Sequence, residues 1–246
     1  MDLAGKAALV TGGRRIGITV ATRLAGLGVD VGLSYKRSRE EAALAAEHVR
    51  RAGRSATVAQ ADLTRPAEVE RLVDATAAGF GRLDILINMA SVYRRAPFDA
   101  LTDNDWTETL DVDLSAAWRL ARAAVPHLRA AGGGRIVHFS DWTAASGRPR
   151  YAGYLPYYVA KRAVIGLTEA LALELAADGI LVNAVAPGPI MPPPDLNADE
   201  VEAVERATPV GRWGGPEAIA DTVVGVLRSD FITGETIRVD GGRHLR

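Results

Sequence analysis

Short apolar runs alternate along this chain with longer stretches whose apolar positions recur every three or four residues, the patterns of buried strands and of helices packed on a sheet. The first run, Lys6 to Thr11, ends in glycines, and Ile16 to Leu27 follows at helical spacing until Gly28 stops it. Val29 to Tyr35 reads as the second strand. Ser38 with Glu41 reads as a capping box opening a helix to about Arg51, with Gly53 as its stop. The alternation continues with a strand near Ala56 to Ala61, a helix that Pro66 begins, and a very apolar strand from Leu83 to Asn88. A long helix over about Asp103 to Ala131, a strand at Arg135 to Ser140 and a helix from Pro156 to Ala177 come next. A strand at Ile180 to Ala186, a helix from about Pro216 and a strand at Thr236 to Val239 complete the series.

Strands alternating with helices predict an α/β fold, a doubly wound parallel sheet of about seven strands with helices on both faces. Ligands of such sheets sit beyond the carboxyl ends of the strands. Thr11 to Gly17, Asn88 to Tyr93, Ser140 to Trp142 and Pro187 to Met191 all follow strands, so the pattern brings them to one edge. With no internal repeat or linker, residues 1–246 read as one domain, and 189–212 as a lid over the substrate.

Composition narrows the partners. A 246-residue chain that is 48% hydrophobic can bury a substantial core. Its net charge of −1 gives nucleic acid or an anionic membrane no electrostatic footprint, so a small-molecule substrate is expected. The absence of cysteine excludes a disulfide framework and fits a reducing, cytoplasmic setting. No apolar run reaches membrane-spanning length, and the N-terminus lacks a signal-peptide pattern. His48, His127, His138 and His244 show no metal-ligand spacing, and no metal is expected.

The chemistry centres on Tyr157 and Lys161. Four residues apart on a helix, they share a face. A cation beside a phenol favours the phenolate, which should bring Tyr157 towards the working pH as a proton donor. The same spacing also describes a core ring beside a solvated lysine. Position after a strand, and convergence with the other loops, favours a site. In TGGRRIG, the glycines Gly12, Gly13 and Gly17 permit a tight turn, and with Ile16 they present free N–H groups and a helix dipole to a pyrophosphate. Arg15 is a further phosphate partner. After the second strand, where an acid would bind a ribose diol, stand Tyr35, Lys36, Arg37 and Ser38. Two cations and a serine suit a 2′-phosphate and so NADPH or NADP+, the alternative being a solvated basic loop. Asp62 and Leu63, after the third strand, would border the adenine.

Assembled, these residues resemble the short-chain dehydrogenase/reductase family over essentially the whole chain. The matches are the glycine turn, Asp62, NMAS at Asn88 to Ser91, Tyr157 with Lys161, Asn183, and Pro187 with Gly188. The resemblance implies a Rossmann-type fold, a nicotinamide cofactor, hydride transfer, and a homotetramer or homodimer built on two long helices. It implies that Tyr157 is the acid/base, that Lys161 holds the nicotinamide ribose, and that Asn88, Ala90, Pro187, Gly188 and Ile190 join the cofactor contacts.

Two catalytic positions depart from the family. Asp141 stands where a serine is usual, with Thr143 or Ser146 as alternative hydroxyls, and Asp113, in DVDL, stands where an asparagine is usual. The glycine turn is also one residue short, and about three extra residues separate Asp141 from Tyr157. Asp141, an arginine in the glycine turn and the basic residues after the second strand are similar to pteridine reductases, in which Tyr93 would match an aromatic that stacks on the pterin. Ser91, Tyr93, Asp141, Trp142 and Tyr157 are therefore the candidate substrate contacts. Three readings follow: NADPH-dependent hydride transfer to a C=N or C=O group, with a pteridine as candidate substrate; a general ketoreductase of the 3-oxoacyl-thioester type; or an NADPH-binding regulator without turnover. An ionised Asp113 either raises a neighbouring carboxyl or pairs with Lys161 and weakens its hold on Tyr157. The C-terminal Arg243 to Arg246 is expected as an exposed tail, or as an arm reaching a neighbouring subunit's site.

Overall fold

The computed structural model describes residues 1–12, 14–194 and 196–246. Seven parallel strands form one sheet in the order β3-β2-β1-β4-β5-β6-β7. They are β1 (Ala7–Gly12), β2 (Asp30–Tyr35), β3 (Ala56–Gln60), β4 (Ile85–Met89), β5 (Gly134–Phe139), β6 (Ile180–Pro187) and β7 (Thr236–Val239). The chain leaves β3 at one edge and re-enters beside β1 as β4. That reversal opens a crevice at the carboxyl ends of the central strands. The central strands are apolar throughout because both faces are covered: β4 and β5 are buried at every residue.

Alternate residues feed two cores. Ile85, Ile87 and Val137 face one way, against α1 (Gly17–Gly26), α2 (Arg39–Arg51) and α9 (Pro216–Arg228). Leu86, Ile136 and Val182 face the other, against α3 (Pro66–Phe80), α5 (Ala116–Ala130) and α7 (Leu155–Leu175). The doubly wound arrangement expected from the alternation is the one observed. Among the described residues no helix is long and apolar enough to cross a membrane.

Two local expectations are corrected. Ser38 does precede α2, but its side chain makes no capping bond, and Glu41 turns instead to the guanidinium of Arg14. The capping boxes that form are elsewhere, at Thr102 with Asp105 before α4 (Asp103–Leu110) and at Asn197 with Glu200 before α8 (Ala198–Ala207). The long helix is not one regular element: α4 and α5 are joined by a five-residue π-helical stretch, Asp111–Ser115. Such an insertion changes which side chains face inward, and here its middle residue, Asp113, is 1% exposed. A short helix, α6 (Trp142–Ala145), follows β5 and is capped by Asp141. At the end of β1, Gly12 has φ of 68° and packs so closely that a Cβ would meet the Ala90 Cα at 2.5 Å. The turn therefore needs glycine for close approach to the loop after β4 as much as for any ligand.

Candidate active site

A cleft of about 830 Å³ crosses the carboxyl ends of β1 to β5. Of the residues expected at a cofactor, Gly12, Arg15, Ile16, Gly17, Tyr35, Lys36, Arg37, Ser38, Asp62, Leu63, Ala90, Tyr157, Lys161 and Pro187 line it, as do Ser91 and Tyr93. Gly13 lies outside the described residues. Three others are not on the wall. Asn88 is buried and accepts a hydrogen bond from the Thr11 hydroxyl at 2.8 Å, tying β4 to β1. A Cβ on Gly188 would meet the Asp240 side chain at 2.5 Å, a packing requirement at the end of β6. Ile190 is 5% exposed among core residues, and its carbonyl accepts from the Gly215 N–H.

At the far end of the cleft the cations divide. Lys36 is held by Asp62 at 2.8 Å. Against its own desolvation, hydrogen bonds from Lys36 and Thr64 keep the Asp62 carboxyl down at about 2. Arg37 has no ion-pair partner among the described residues. Arg15 reaches across the cleft to the Pro192 carbonyl at 2.6 Å, joining the glycine turn to the segment before α8.

The near end holds the reactive groups. Tyr157 donates to Asp141 Oδ2 at 3.1 Å, which places Asp141, at the end of β5, opposite the phenol. The other oxygen of Asp141 accepts from the Thr143 N–H and hydroxyl at 2.8 and 2.6 Å. The alternative hydroxyls are thus engaged: Thr143 holds Asp141, and Ser146 donates to the Trp142 carbonyl. Ser140 donates to the Lys161 carbonyl.

Lys161 is 2% exposed and donates to the Phe139 carbonyl at 2.9 Å. Its ammonium lies 2.8 Å from Asp113 Oδ1 and 5.6 Å from the centre of the Tyr157 ring. Asp113 also accepts from the Ser91 hydroxyl and, at 2.9 Å, from the Val92 N–H. The π-helical stretch, α7 and the loop after β4 meet at this one carboxylate.

The expected fall in the Tyr157 pKa is reversed. Burial, then the charges of Asp141 and Asp113 and the hydrogen bond to Asp141, push it well above the ordinary tyrosine value. Lys161 does not offset this because its charge is matched by a carboxylate at contact distance.

Tyr93 stacks on Tyr154 at 4.5 Å and meets Tyr157 edge-on at 4.8 Å, forming an aromatic wall. Tyr154 was not foreseen, although its place three residues before Tyr157 carries the same helical-face signal. Trp142 is not on this wall. It is buried, with the guanidiniums of Arg150 and Arg243 at 5.5 and 5.9 Å from its ring. Arg150 also donates to the carbonyls of His244 and Arg246, so the C-terminal segment packs against the loop before α7 of its own chain.

His138, on β5, is fully buried, and neither ring nitrogen has a hydrogen-bond partner among the described residues. Desolvation, and next the charge of Lys161, hold its pKa down at about 4. The unfolded chain takes up this proton near 6.5, so between the two values the unfolded state binds more protons. The stability due to a neutral His138 is complete above pH 6.5 and is lost as pH falls to about 4, by about 3 kcal/mol in total. Chemical denaturation of His138→Leu at neutral pH and near pH 4.5 should show a shallower acid loss than the parent; equal losses would exclude the role.

A family model described as enoyl-(acyl carrier protein) reductase matches residues 11–244. The chain is 35% identical to the 3-oxoacyl-[acyl-carrier-protein] reductase FabG of Staphylococcus aureus over 246 residues, 98% of each chain. It is 38% identical to the short-chain reductase protein NovJ of Streptomyces niveus, over 96% of this chain and 93% of that one. Among solved structures, a short-chain dehydrogenase/reductase from Serratia marcescens superposes with a TM-score of 0.91 at 32% identity, covering 99% of this chain and 100% of that one.

Proposed function

Because the chain belongs to the short-chain dehydrogenase/reductase family, we propose that it is an NADPH-dependent ketone reductase acting on a 3-oxoacyl-type substrate. The observation that carries this reading is Tyr157, kept neutral beside Asp141 at one end of a cleft whose other end presents Arg37. The names of relatives such as FabG support the substrate class.

The cleft has the volume and lining that a dinucleotide needs. The turn at Gly12, Ile16 and Gly17, with the start of α1, would hold the pyrophosphate. Leu63 would flank the adenine, and Arg37 with Ser38 would take the 2′-phosphate. Bound there, a reduced nicotinamide supplies hydride. The chain supplies the rest. Tyr157 gives its proton to the substrate oxygen as negative charge develops there. Asp141 accepts that proton's hydrogen bond until the substrate oxygen takes its place as acceptor, and the Tyr93–Tyr154 wall orients the substrate. Lys161 has two protons committed to Phe139 and Asp113, and would offer the third to the cofactor ribose. Residues 189–194 and 196–212, joined to the glycine turn by the Arg15 bond to the Pro192 carbonyl, would act as a lid. We read the assembly as a homodimer or homotetramer through α5 and α7, where Trp118 and Leu173 are exposed apolar residues.

NADPH oxidation measured with a 3-oxoacyl thioester, small diketones and dihydropterins tests the reading; turnover of the thioester is expected, and failure on every ketone would end it. A second reading, reduction of a C=N substrate such as a pteridine, is favoured by Asp141. Its carboxylate accepts hydrogen bonds where a serine would donate one, which suits a substrate bearing N–H groups. Arg37→Ala should raise the KM for NADPH about tenfold or more, the weight of one charge-assisted phosphate contact, with little effect on that for NADH. Equal effects on both cofactors would remove Arg37 from phosphate recognition.

A further inference from the structure

We propose that Asp113 neutralises Lys161 and thereby keeps Tyr157 a neutral proton donor through the alkaline range, making Asp113 a positioning residue that sets the pH window of reduction. The inference rests on the proposed ketone reduction.

It starts from the hydrogen-bond partners of Asp113. Three polar groups hold the carboxylate among the described residues: Lys161 Nζ at 2.8 Å and the Ser91 hydroxyl on Oδ1, and the Val92 N–H at 2.9 Å on Oδ2. The ammonium and the N–H can only donate, one to each oxygen, so the site is built to hold a carboxylate. Its partner is equally fixed. The side chains of Lys161 and Asp113 are 3% and 0% exposed, and Lys161 has a second bond to the Phe139 carbonyl. At contact distance the carboxylate opposes the field of the ammonium around the pair.

The charges around the phenol then decide its state. Lys161 faces Tyr157 from the same helix, and Asp113 from the π-helical stretch. Asp141 meets it from the end of β5, and Tyr93 and Tyr154 complete the wall from the loop after β4 and the start of α7. His138, beneath them on β5, is buried and neutral. One cation and two carboxylates surround Tyr157, so a phenolate would add a third anion to a desolvated cluster. With a neutral side chain at position 113 only Asp141 would oppose the lysine, and an opposite charge about 4–6 Å away lowers such a group by about one to three pH units. The chain has the geometry to activate its tyrosine as a base, together with a buried carboxylate that cancels it.

Two measurements test this on wild type and Asp113→Asn. In cofactor-free protein, near-ultraviolet difference absorbance against matched Tyr157→Phe proteins follows ionisation of Tyr157 alone. It should be silent in wild type up to the alkaline limit of folding, and should appear in Asp113→Asn at least about one pH unit below that limit. In the presence of NADPH, kcat/KM for ketone reduction should run level into the alkaline range in wild type and should gain an alkaline fall in Asp113→Asn. A merely structural role for Asp113 would lower the rate at every pH without moving the profile. Identical titrations in the two proteins would overturn the proposal. If Asp113→Asn does not fold, Asp141→Asn decides: Tyr157 should stay silent while Asp113 still opposes the lysine, and a Tyr157 midpoint below about 10 in that variant would overturn the proposal. Failure to reduce any ketone, with Tyr157 still silent, would reject the functional reading and leave the role of Asp113 standing.

Discussion

Tyr157→Phe is expected to lower kcat/KM for ketone reduction by about 10²–10⁴-fold, the usual contribution of a positioned general acid. The substitution removes one oxygen and leaves the ring, so the edge-on contact with Tyr93 at 4.8 Å and the packing of α7 persist. The affinity for NADPH should change little, because the cleft extends from Tyr157 to Arg37 and most of its wall lies away from the phenol. Two consequences separate this from a packing defect. The loss should fall on the chemical step, and the thermal midpoint should stay close to that of the parent, since the hydroxyl's one bond is to Asp141 at the mouth of the site. Retention of more than a tenth of wild-type turnover would show that another group supplies the proton.

Lys161→Met is expected to cost about 3–5 kcal/mol of stability as well as activity, because it strands Asp113 in the interior without its cation. The Ser91 hydroxyl and the Val92 N–H remain on the carboxylate, but neither carries charge. In a chain of this size that cost lowers the melting temperature by roughly 10 °C. Lys161→Met with Asp113→Leu should recover most of the stability, since exchanging a buried ion pair for apolar groups of similar volume is often neutral. It should not recover activity. Calorimetry of the single and double variants is decisive: a double variant as unstable as the single would mean that Lys161 contributes chiefly through its bond to the Phe139 carbonyl.

The framework of the site was legible because it is written in local pattern. Apolar runs at Leu83 to Asn88 and Arg135 to Ser140 could be buried only as central strands, and the loops after them had to share an edge. The glycine turn and the cations after β2 were legible for the same reason. Residues whose environment comes from distant segments were harder to read. Ser38 and Glu41 have the spacing of a capping box, yet Arg14 from the glycine turn competes for Glu41 and wins. Trp142 follows Asp141 directly, but α6 turns it inward between Arg150 and Arg243. Asn88 and Gly188, matched by resemblance, serve strand and turn packing.

By itself the sequence determined the doubly wound sheet, the edge on which its loops converge and the helix face shared by Tyr157 and Lys161, since each follows from periodicity over a few turns or strands. The tertiary structure alone decided what that pair does electrostatically. A π-helical stretch in the middle of an expected regular helix buries Asp113 against a lysine on another element, and Asp141 meets the phenol from the end of β5. The ionisation of a buried group depends on the sum of charges within a few ångströms, and these charges come from segments far apart in the chain.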